Sequence, residues 1–217
     1  VKADITKREE VQAMVKKIID EYKKIDILCN VAGGILHRDN TPLEVQQEEV
    51  WLRQISLNLF GTMLVTRAVL PHMKEQKYGV IVNVGSGSTH QYYMGVGMYA
   101  MSKYAIDLFT RQLAMTEAKA GIRVNCVAPG PAPTNFGAVL REGMPKPTPE
   151  QMKQMRERMA QTMPLGRIGT QADIANAAVF LALGTTPSVS YMFDATPYPD
   201  GKHALRLRNV RTDGNYD

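Results

Sequence analysis

The sequence predicts an open, doubly wound parallel α/β sheet in a single domain. Short apolar runs rich in valine and isoleucine alternate with long helical stretches, and the apolar runs end in glycine or proline. Strands that are hydrophobic throughout, with helices between them, are typical of a parallel sheet covered on both faces. The chain has 217 residues, of which 44% are hydrophobic, so it can build one sizeable core.

The helices and strands are predicted from hydrophobic spacing and from their start and stop signals. Thr6 and Glu9 have the spacing of a capping box at the start of the first helix. The predicted helices cover 6–22, about 44–77 and about 99–120, and the predicted strands cover 25–34, 79–88 and 121–131. Ligands of such sheets bind beyond the carboxyl ends of the strands, so functional residues are expected just after each strand.

The composition limits the classes of binding partner and the cellular compartment that we predict. The net charge is +5, and the basic residues are interleaved with acidic ones along helical stretches, which indicates solvated helix faces and not a nucleic-acid surface. No run approaches the roughly 18 apolar residues of a membrane span, so no membrane partner is predicted. Cys29 and Cys126 each lie in an apolar strand, which predicts buried free thiols in a reducing, cytoplasmic compartment. No metal site is predicted.

A tyrosine and a lysine stand four residues apart twice, in "YAMSK" at 99–103 and in "YPDGK" at 198–202. Prolines flank Tyr198, so that pair lies in an irregular turn and is interpreted as coincidence. Tyr99 begins a stretch of strong helix formers, and positions i and i+4 of a helix share one face. Lys103 is therefore expected one turn from Tyr99 on the same side.

This pairing has a chemical consequence for the phenol. A lysine cation favours the phenolate, so we expect Lys103 to lower a Tyr99 pKa that starts near 10. A tyrosine poised near neutrality exchanges a proton with a carbonyl or an alcohol. Ser86 comes immediately after "VIVNVG" (80–85) of the second strand, thirteen residues before Tyr99, and its hydroxyl can hold the substrate oxygen.

Six motifs follow one another in the order and spacing of the short-chain dehydrogenase/reductase family, which the chain resembles from Val1 to about Gly201. These motifs are "NVAG" (30–33), "NLFGTMLVTRAVLPHM" (58–73), "GVIVNVGS" (79–86), "YAMSK" (99–103), "IRVNCVAPGPAPT" (122–134) and "PLGRIGTQADIANAAVFL" (164–181). The resemblance implies a Rossmann-type domain over 1–201, followed by a basic tail over 202–217. It also implies a homo-oligomeric oxidoreductase, a tetramer or a dimer, that transfers a hydride between NAD or NADP and a small secondary alcohol or ketone.

The resemblance assigns a catalytic tetrad to Asn58, Ser86, Tyr99 and Lys103. In the family the tyrosine is the general acid/base, the serine orients the substrate oxygen, and the lysine tunes the tyrosine and holds the nicotinamide ribose. The asparagine holds a helix kink and a water that relays protons to the lysine. The cofactor contacts implied besides Tyr99 and Lys103 are Asp4 and Ile5 beside the adenine, Asn30, Ala32 and Gly33 beside the adenosine ribose, and Pro129, Gly130, Ala132 and Thr134 in the segment that meets the nicotinamide carboxamide.

The sequence departs from the family pattern at both ends. It has no glycine-rich turn of the kind that holds a pyrophosphate, and Val1 stands where the family's third strand should be ending. About 60 residues, two β-α units of ordinary length, are absent at the front. We expect the native protein to have them, and the residues that select between NAD and NADP lie in that portion. The alternative is a non-catalytic paralogous subunit that binds no dinucleotide.

At the C-terminal end, Pro197 and Pro199 interrupt the expected last strand. We therefore expect this strand to be either short and at an edge of the sheet, or rebuilt.

The substrate side carries weaker signals. Met152, Met155, Met159 and Met163 form a stripe at helical spacing, for which packing on the domain is favoured over a substrate gate. His90, Tyr92, Tyr93 and Met94 occupy positions that face the substrate in the family, which fits a ring-bearing or acyl substrate. The basic tail over 202–217 suggests a positively charged binding site for an anionic substrate. A disordered, solvated tail is an equally good interpretation.

Overall fold

A computed structural model describes residues 1–36, 42–89, 96–133, 147–184 and 192–194. These residues form a parallel sheet with helices on both faces, as the sequence predicts. The strands are β1 (Ile27–Asn30), β2 (Gly79–Val84), β3 (Ile122–Ala128) and β4 (Met192–Asp194). The helices are α1 (Arg8–Tyr22), α2 (Glu48–Ile55), α3 (Gly61–Gln76), α4 (Gly97–Glu117), α5 (Pro149–Gln161) and α6 (Gln171–Leu183).

The strands lie in the order β1-β2-β3-β4, and all neighbouring pairs are parallel. Asn30 pairs with Asn83 at the carboxyl ends of β1 and β2, and Val84 pairs with Val127 at the ends of β2 and β3. This register brings the segments that follow the first three strands to one edge of the sheet. The predicted site residues Gly33, Ser86 and Pro129 lie in those segments.

The core has two parts, one on each face of the sheet. On one face, α1, α3 and α4 contribute Val15, Met73 and Leu113 against Ile81 and Val124 of the strands. On the other face, α6 packs Leu181 and Ala182 against Val80, Val82 and Val127. The sheet is thus doubly wound, and α4 is held firmly enough for its first turns to serve as a platform for a site.

Two local predictions are wrong. Thr6 does not cap α1, because its hydroxyl donates to Asp4 at 2.8 Å and the helix begins only at Arg8. Cys29 is exposed, whereas Cys126 is buried. Leu28 packs into the core under α1 and α3, so Cys29 points to the opposite face, where α6 covers β2 and β3 and leaves this edge strand open.

The helix predicted over about 44–77 is divided in the structure. Its regular part begins at Glu48, and a π-helical turn over Ser56–Phe60 separates α2 from α3. At the other end of the chain, β4 has three residues and lies at the edge of the sheet, which agrees with the short-strand alternative. No helix in the described part of the chain is both long and apolar enough to cross a membrane.

Candidate active site

Ser86 is held where β2 and β3 run past their regular ends. The backbone N–H of Gly85 donates to the Val127 carbonyl at 2.8 Å, and the N–H of Gly87 donates to the Pro129 carbonyl at 2.8 Å. The two chains therefore stay paired around Ser86. A Cβ at position 85 would lie 3.0 Å from the Cys126 sulfur, so this close approach favours glycine.

The Ser86 hydroxyl belongs to a short chain of hydroxyl groups. It accepts from the Ser88 hydroxyl at 2.9 Å and from the Ser88 backbone N–H at 3.2 Å. It also forms a side-chain hydrogen bond with Tyr99. Because Ser88 fills its acceptor side, the proton of Ser86 is free to point toward the phenol oxygen or toward an oxygen bound beside it.

Tyr99 lies in the first turn of α4 and is 8% exposed. Its ring packs with Ile35 and Val96 in a small apolar cluster. Burial raises the pKa of Tyr99 above its usual value of 10.0, and the hydrogen bond with Ser86 offsets this only in part. The expected lowering by Lys103 is therefore wrong for these residues taken alone, since the Lys103 Nζ lies 6.0 Å from the ring centroid and desolvation of the phenol dominates.

Lys103 is one turn further along α4 and is 4% exposed. Its Nζ donates to the Val84 carbonyl at the end of β2, at 2.7 Å. Burial lowers the pKa of Lys103 from 10.5 to about 8. Both members of the predicted pair are thus desolvated, and each favours its neutral form more than it would in water.

Asn58 is fully buried in the π-helical turn and uses both ends of its amide. Its Nδ2 donates to the Gly34 carbonyl and to the Ser102 hydroxyl, both at 3.0 Å, and its Oδ1 accepts from the Gly34 N–H at 2.9 Å. Ser102 in turn donates to the Tyr99 carbonyl at 2.7 Å. The asparagine therefore ties the segment after β1 to the first turn of α4, and all four tetrad residues lie in one connected arrangement.

Gly33 is placed between two members of that arrangement. Its φ is +150°, and a Cβ there would lie 2.7 Å from the Asn58 Oδ1 and 3.6 Å from the Lys103 Nζ. A side chain at this position would therefore clash with Asn58 and crowd the Lys103 Nζ. Ala32 is exposed beside it.

The other residues predicted to contact a cofactor differ in burial and in hydrogen bonding. Asn30 is buried, and its Nδ2 donates to Thr66 at 3.0 Å and to Asn83 at 2.8 Å, so its amide serves the sheet interior. Asp4 accepts from the backbone N–H of Thr6 at the start of α1, and Ile5 packs against Gly61. Pro129, Gly130 and Ala132 are half-buried beyond β3, and Thr134 lies outside the described residues.

Sequence reasoning missed three polar residues of the site. Ser88 and Ser102 make the contacts given above, and the buried Gln54 contacts the segment that follows β1. Only spacing could have pointed to them: Gln54 is four residues before Asn58, Ser88 is two after Ser86, and Ser102 is inside the "YAMSK" motif. Within the described ranges, no group of three His, Cys, Asp or Glu side chains is placed to hold a metal ion.

The predicted substrate side is described only in part. Residues 90–94, with their histidine and two tyrosines, lie outside the described residues, as does the basic tail. The helix α5 buries none of its residues, and Met155 and Met159 are exposed. Met152 and Met163 are half-buried, so the favoured packing of the stripe on the domain applies to at most two of its four methionines.

Comparison with known proteins gives consistent relatives. The family described as Enoyl-(Acyl carrier protein) reductase matches residues 1–192. An uncharacterized oxidoreductase of Schizosaccharomyces pombe is 36% identical over 93% of this chain and 72% of its own length. A 3-oxoacyl-[acyl-carrier-protein] reductase of Chlamydia pneumoniae is 34% identical over 92% of this chain and 74% of its own length.

Solved structures agree with these sequence relatives. NAD⁺-bound xylitol dehydrogenase superposes with a TM-score of 0.74 at 26% identity, over 87% of this chain and 74% of that one. A gluconate 5-dehydrogenase from Burkholderia cenocepacia, in complex with NADP and tartrate, gives 0.70 at 26% identity, over 82% of this chain and 65% of that one. The chain belongs to the short-chain dehydrogenase/reductase family of oxidoreductases.

Proposed function

We propose that the protein is an NAD- or NADP-dependent oxidoreductase that interconverts a small secondary alcohol and the corresponding ketone. The observation that carries this proposal is the connected set of Ser86, Tyr99, Lys103 and Asn58 at the carboxyl ends of β1 and β2. Family membership supports the oxidoreductase class and the type of cofactor.

Tyr99 is proposed as the general acid in the reducing direction and the general base in the oxidising direction. Because burial raises its pKa, the phenol is neutral at physiological pH and holds the proton that a reduced carbonyl oxygen needs. In reduction, the O–H bond of Tyr99 breaks as the new O–H bond of the alcohol forms. The phenolate left on Tyr99 takes up a proton from water before the next turnover.

Ser86 is proposed to hold the substrate oxygen beside Tyr99. Its acceptor side is filled by Ser88, so its own proton is left to point at a carbonyl oxygen. A donor fixed in this direction stabilises negative charge as it develops on that oxygen.

Lys103 is proposed to bind the ribose next to the nicotinamide. An ammonium group carries three protons, and the Val84 carbonyl takes one of them. Gly33 has no side chain, so nothing from this residue crowds the Nζ and its remaining protons can be offered to a sugar hydroxyl. When bound, NAD or NADP supplies or accepts the hydride at carbon. Ala32, Gly33 and the segment 129–132 are the further described residues proposed to line the cofactor.

A homo-oligomer is proposed on the basis of the outer face of α4. Four large apolar side chains at helical spacing are each more than half exposed there: Met101, Tyr104, Leu108 and Met115. A stripe of this kind on a helix whose other face is core is typical of a surface that packs against a second copy.

Titration with NADH separates the enzyme from a non-catalytic subunit. Increments of the protein, with its natural N-terminus, are added to NADH and, in a second titration, to NADPH while the cofactor fluorescence is followed. Carbonyl compounds are then added. Polyol-derived ketones and 3-oxoacyl thioesters form the panel, since the names of the relatives refer to a polyol and to 3-oxoacyl groups. Saturable binding followed by oxidation of NADH or NADPH is the expected result. If neither cofactor binds, the chain is a subunit without a dinucleotide and the proposal is wrong.

A further inference from the structure

Gln54 is a buried amide to which the reaction scheme assigns no part. It is the buried residue of α2 and is 2% exposed. A glutamine is costly to bury unless both ends of its amide are hydrogen-bonded. Both ends are: the Oε1 accepts from the Leu36 N–H at 2.9 Å, and the Nε2 donates to the Gly34 carbonyl at 2.7 Å.

These bonds act on the segment that leaves β1. Residues 33–36 have no regular secondary structure, so their backbone polar groups depend on side chains for partners. The Gly34 carbonyl receives the Asn58 Nδ2 as well as the Gln54 Nε2. Gln54 in α2 and Asn58 in the π-helical turn that follows it are four residues apart, and both hydrogen-bond to the same segment.

The gripped segment touches two residues of the proposed reaction. Gly33 lies against the Lys103 Nζ and the Asn58 Oδ1. Ile35 is 4% exposed and packs against Tyr99. A shift of this segment would therefore displace two groups together: the Gly33 backbone beside the Lys103 Nζ, and the Ile35 side chain that packs with the Tyr99 ring.

We propose that Gln54 is a positioning residue of the active site, which clamps residues 34–36 so that Gly33 and Ile35 hold Lys103 and Tyr99 in their working geometry. The proposal rests on the proposed oxidoreductase function. Gln54 touches neither substrate nor cofactor in this scheme and acts only through the clamped segment.

The chain offers a matched control in Gln76. At the end of α3, its Oε1 accepts from the Ile25 N–H at 3.1 Å and its Nε2 donates to the Ile25 carbonyl at 3.0 Å. This is the same two-sided clamp on a backbone, but it lies at the amino end of β1, away from the site. Gln54→Met and Gln76→Met each remove such a clamp and preserve the length of the side chain.

Steady-state kinetics of the full chain test the role in catalysis. Because small displacements at a reacting centre cost much rate, Gln54→Met is expected to lower kcat by about tenfold or more, with KM changed by less than about threefold. Gln76→Met is expected to keep both constants within about twofold of the wild type, since its clamp is remote. Equal losses of kcat in the two variants would show that Gln54 contributes only to stability and would overturn the proposal. Gln54→Glu, which lacks the donor to Gly34, replaces the methionine variant if that one does not fold, with the same expected loss.

Two measurements that need no turnover keep the tests distinguishable. Amide exchange at Gly34 and Leu36, followed by NMR, should accelerate by about tenfold or more in Gln54→Met and not in Gln76→Met, because local opening frees those amides. The Lys103 pKa, read from its ε-carbon shift, should rise from about 8 toward 10.5 in Gln54→Met as water enters. If the wild type turns over no carbonyl compound, the proposed function fails. Unchanged exchange and an unchanged Lys103 pKa show that Gln54 does not hold the segment, and overturn the positioning role.

Discussion

An added methyl group at Gly33 should disturb the candidate active site directly. A Cβ there would lie 2.7 Å from the Asn58 Oδ1, and the φ of +150° disfavours any side chain. Gly33→Ala must therefore displace Asn58 or the segment, which would disturb Lys103 as well. We expect kcat/KM to fall by about tenfold to a hundredfold.

Gly34→Ala is the matched control for that prediction. A Cβ at position 34 meets nothing within 4 Å, and the backbone bonds to Asn58 and Gln54 survive the change. Comparable kcat/KM values for the two variants would contradict the role given to the close packing of Gly33 against Asn58 and Lys103.

Lys103 should leave a mark on the pH dependence of stability. Its pKa is about 8 in the folded protein and 10.5 in the unfolded chain, so between these values the unfolded state binds more protons. The free energy of unfolding therefore rises with pH across this window. Below pH 8 both states are protonated, and burying the cation costs the folded state about 3 kcal/mol.

Urea unfolding of the wild type and of Lys103→Met at pH 7.5, 9 and 10.5 checks this expectation. The variant is spared the cost of the buried cation, so its stability relative to the wild type should be greatest at pH 7.5 and should shrink as the pH rises. Loss of the hydrogen bond to Val84 changes the difference in free energy of unfolding by the same amount at every pH, so it does not alter how that difference varies with pH. A difference that stays constant over the window would contradict the buried, low-pKa lysine.

The relative placement of Tyr99 and Lys103 could be predicted from the sequence, but their electrostatics could not. Spacing on a helix places Lys103 one turn from Tyr99, and this is what the structure has. The direction of the Tyr99 pKa shift depends on how much water the fold removes from the phenol, which is a property of packing by Ile35 and Val96. The hydrogen bond of Asn30 could not be predicted from local sequence either, because its partner Asn83 lies 53 residues away in the chain.

At the scale of elements, β2, β3 and α4 begin within two residues of their predicted starts. Both strands are mostly apolar runs rich in valine. β2 follows a helix whose C-cap is Lys77, and β3 follows a helical stretch that ends at Ala120 before Gly121. Both signals are local, so the sequence carries them without knowledge of the fold. The strand ends are less accurate, because β2 and β3 continue as paired but irregular chains around Ser86.

The break between α2 and α3 could not be predicted from hydrophobic spacing, although the family resemblance implies a kink at Asn58. The π-helical turn is accompanied by tertiary bonds from the Asn58 amide to Gly34 and to Ser102. Thr62 adds a bond from its hydroxyl to the Asn58 carbonyl at 2.8 Å. The partners Gly34 and Ser102 come from distant parts of the chain, whereas periodicity reports only local order.

At the scale of the whole molecule, the exposed stripe on α4 is the feature that the sheet and its core do not account for. Leu108 is 51% exposed near the middle of the stripe. Leu108→Glu places a charge in the proposed contact with a second copy, where no partner for it is known, so we expect smaller particles and nearly unchanged monomer stability. Light scattering coupled to size-exclusion chromatography measures the mass.

Leu43→Glu is the comparison variant, because Leu43 is 69% exposed and lies outside the stripe. It should retain the assembly of the wild type. A wild type that runs as a monomer, or a Leu108→Glu variant that assembles as the wild type does, would refute the proposed packing face.

The central claim is that Tyr99 moves the proton in a hydride-transfer reaction, and Tyr99→Phe tests it most directly. The phenyl ring preserves the packing with Ile35 and Val96 and removes only the hydroxyl that meets Ser86. The measurement is the rate of carbonyl reduction by NADH or NADPH, alongside the affinity for that cofactor from fluorescence titration. We predict that kcat falls by about a thousandfold or more while the cofactor dissociation constant changes by less than about threefold. A Tyr99→Phe variant that keeps most of the wild-type rate would contradict the claim.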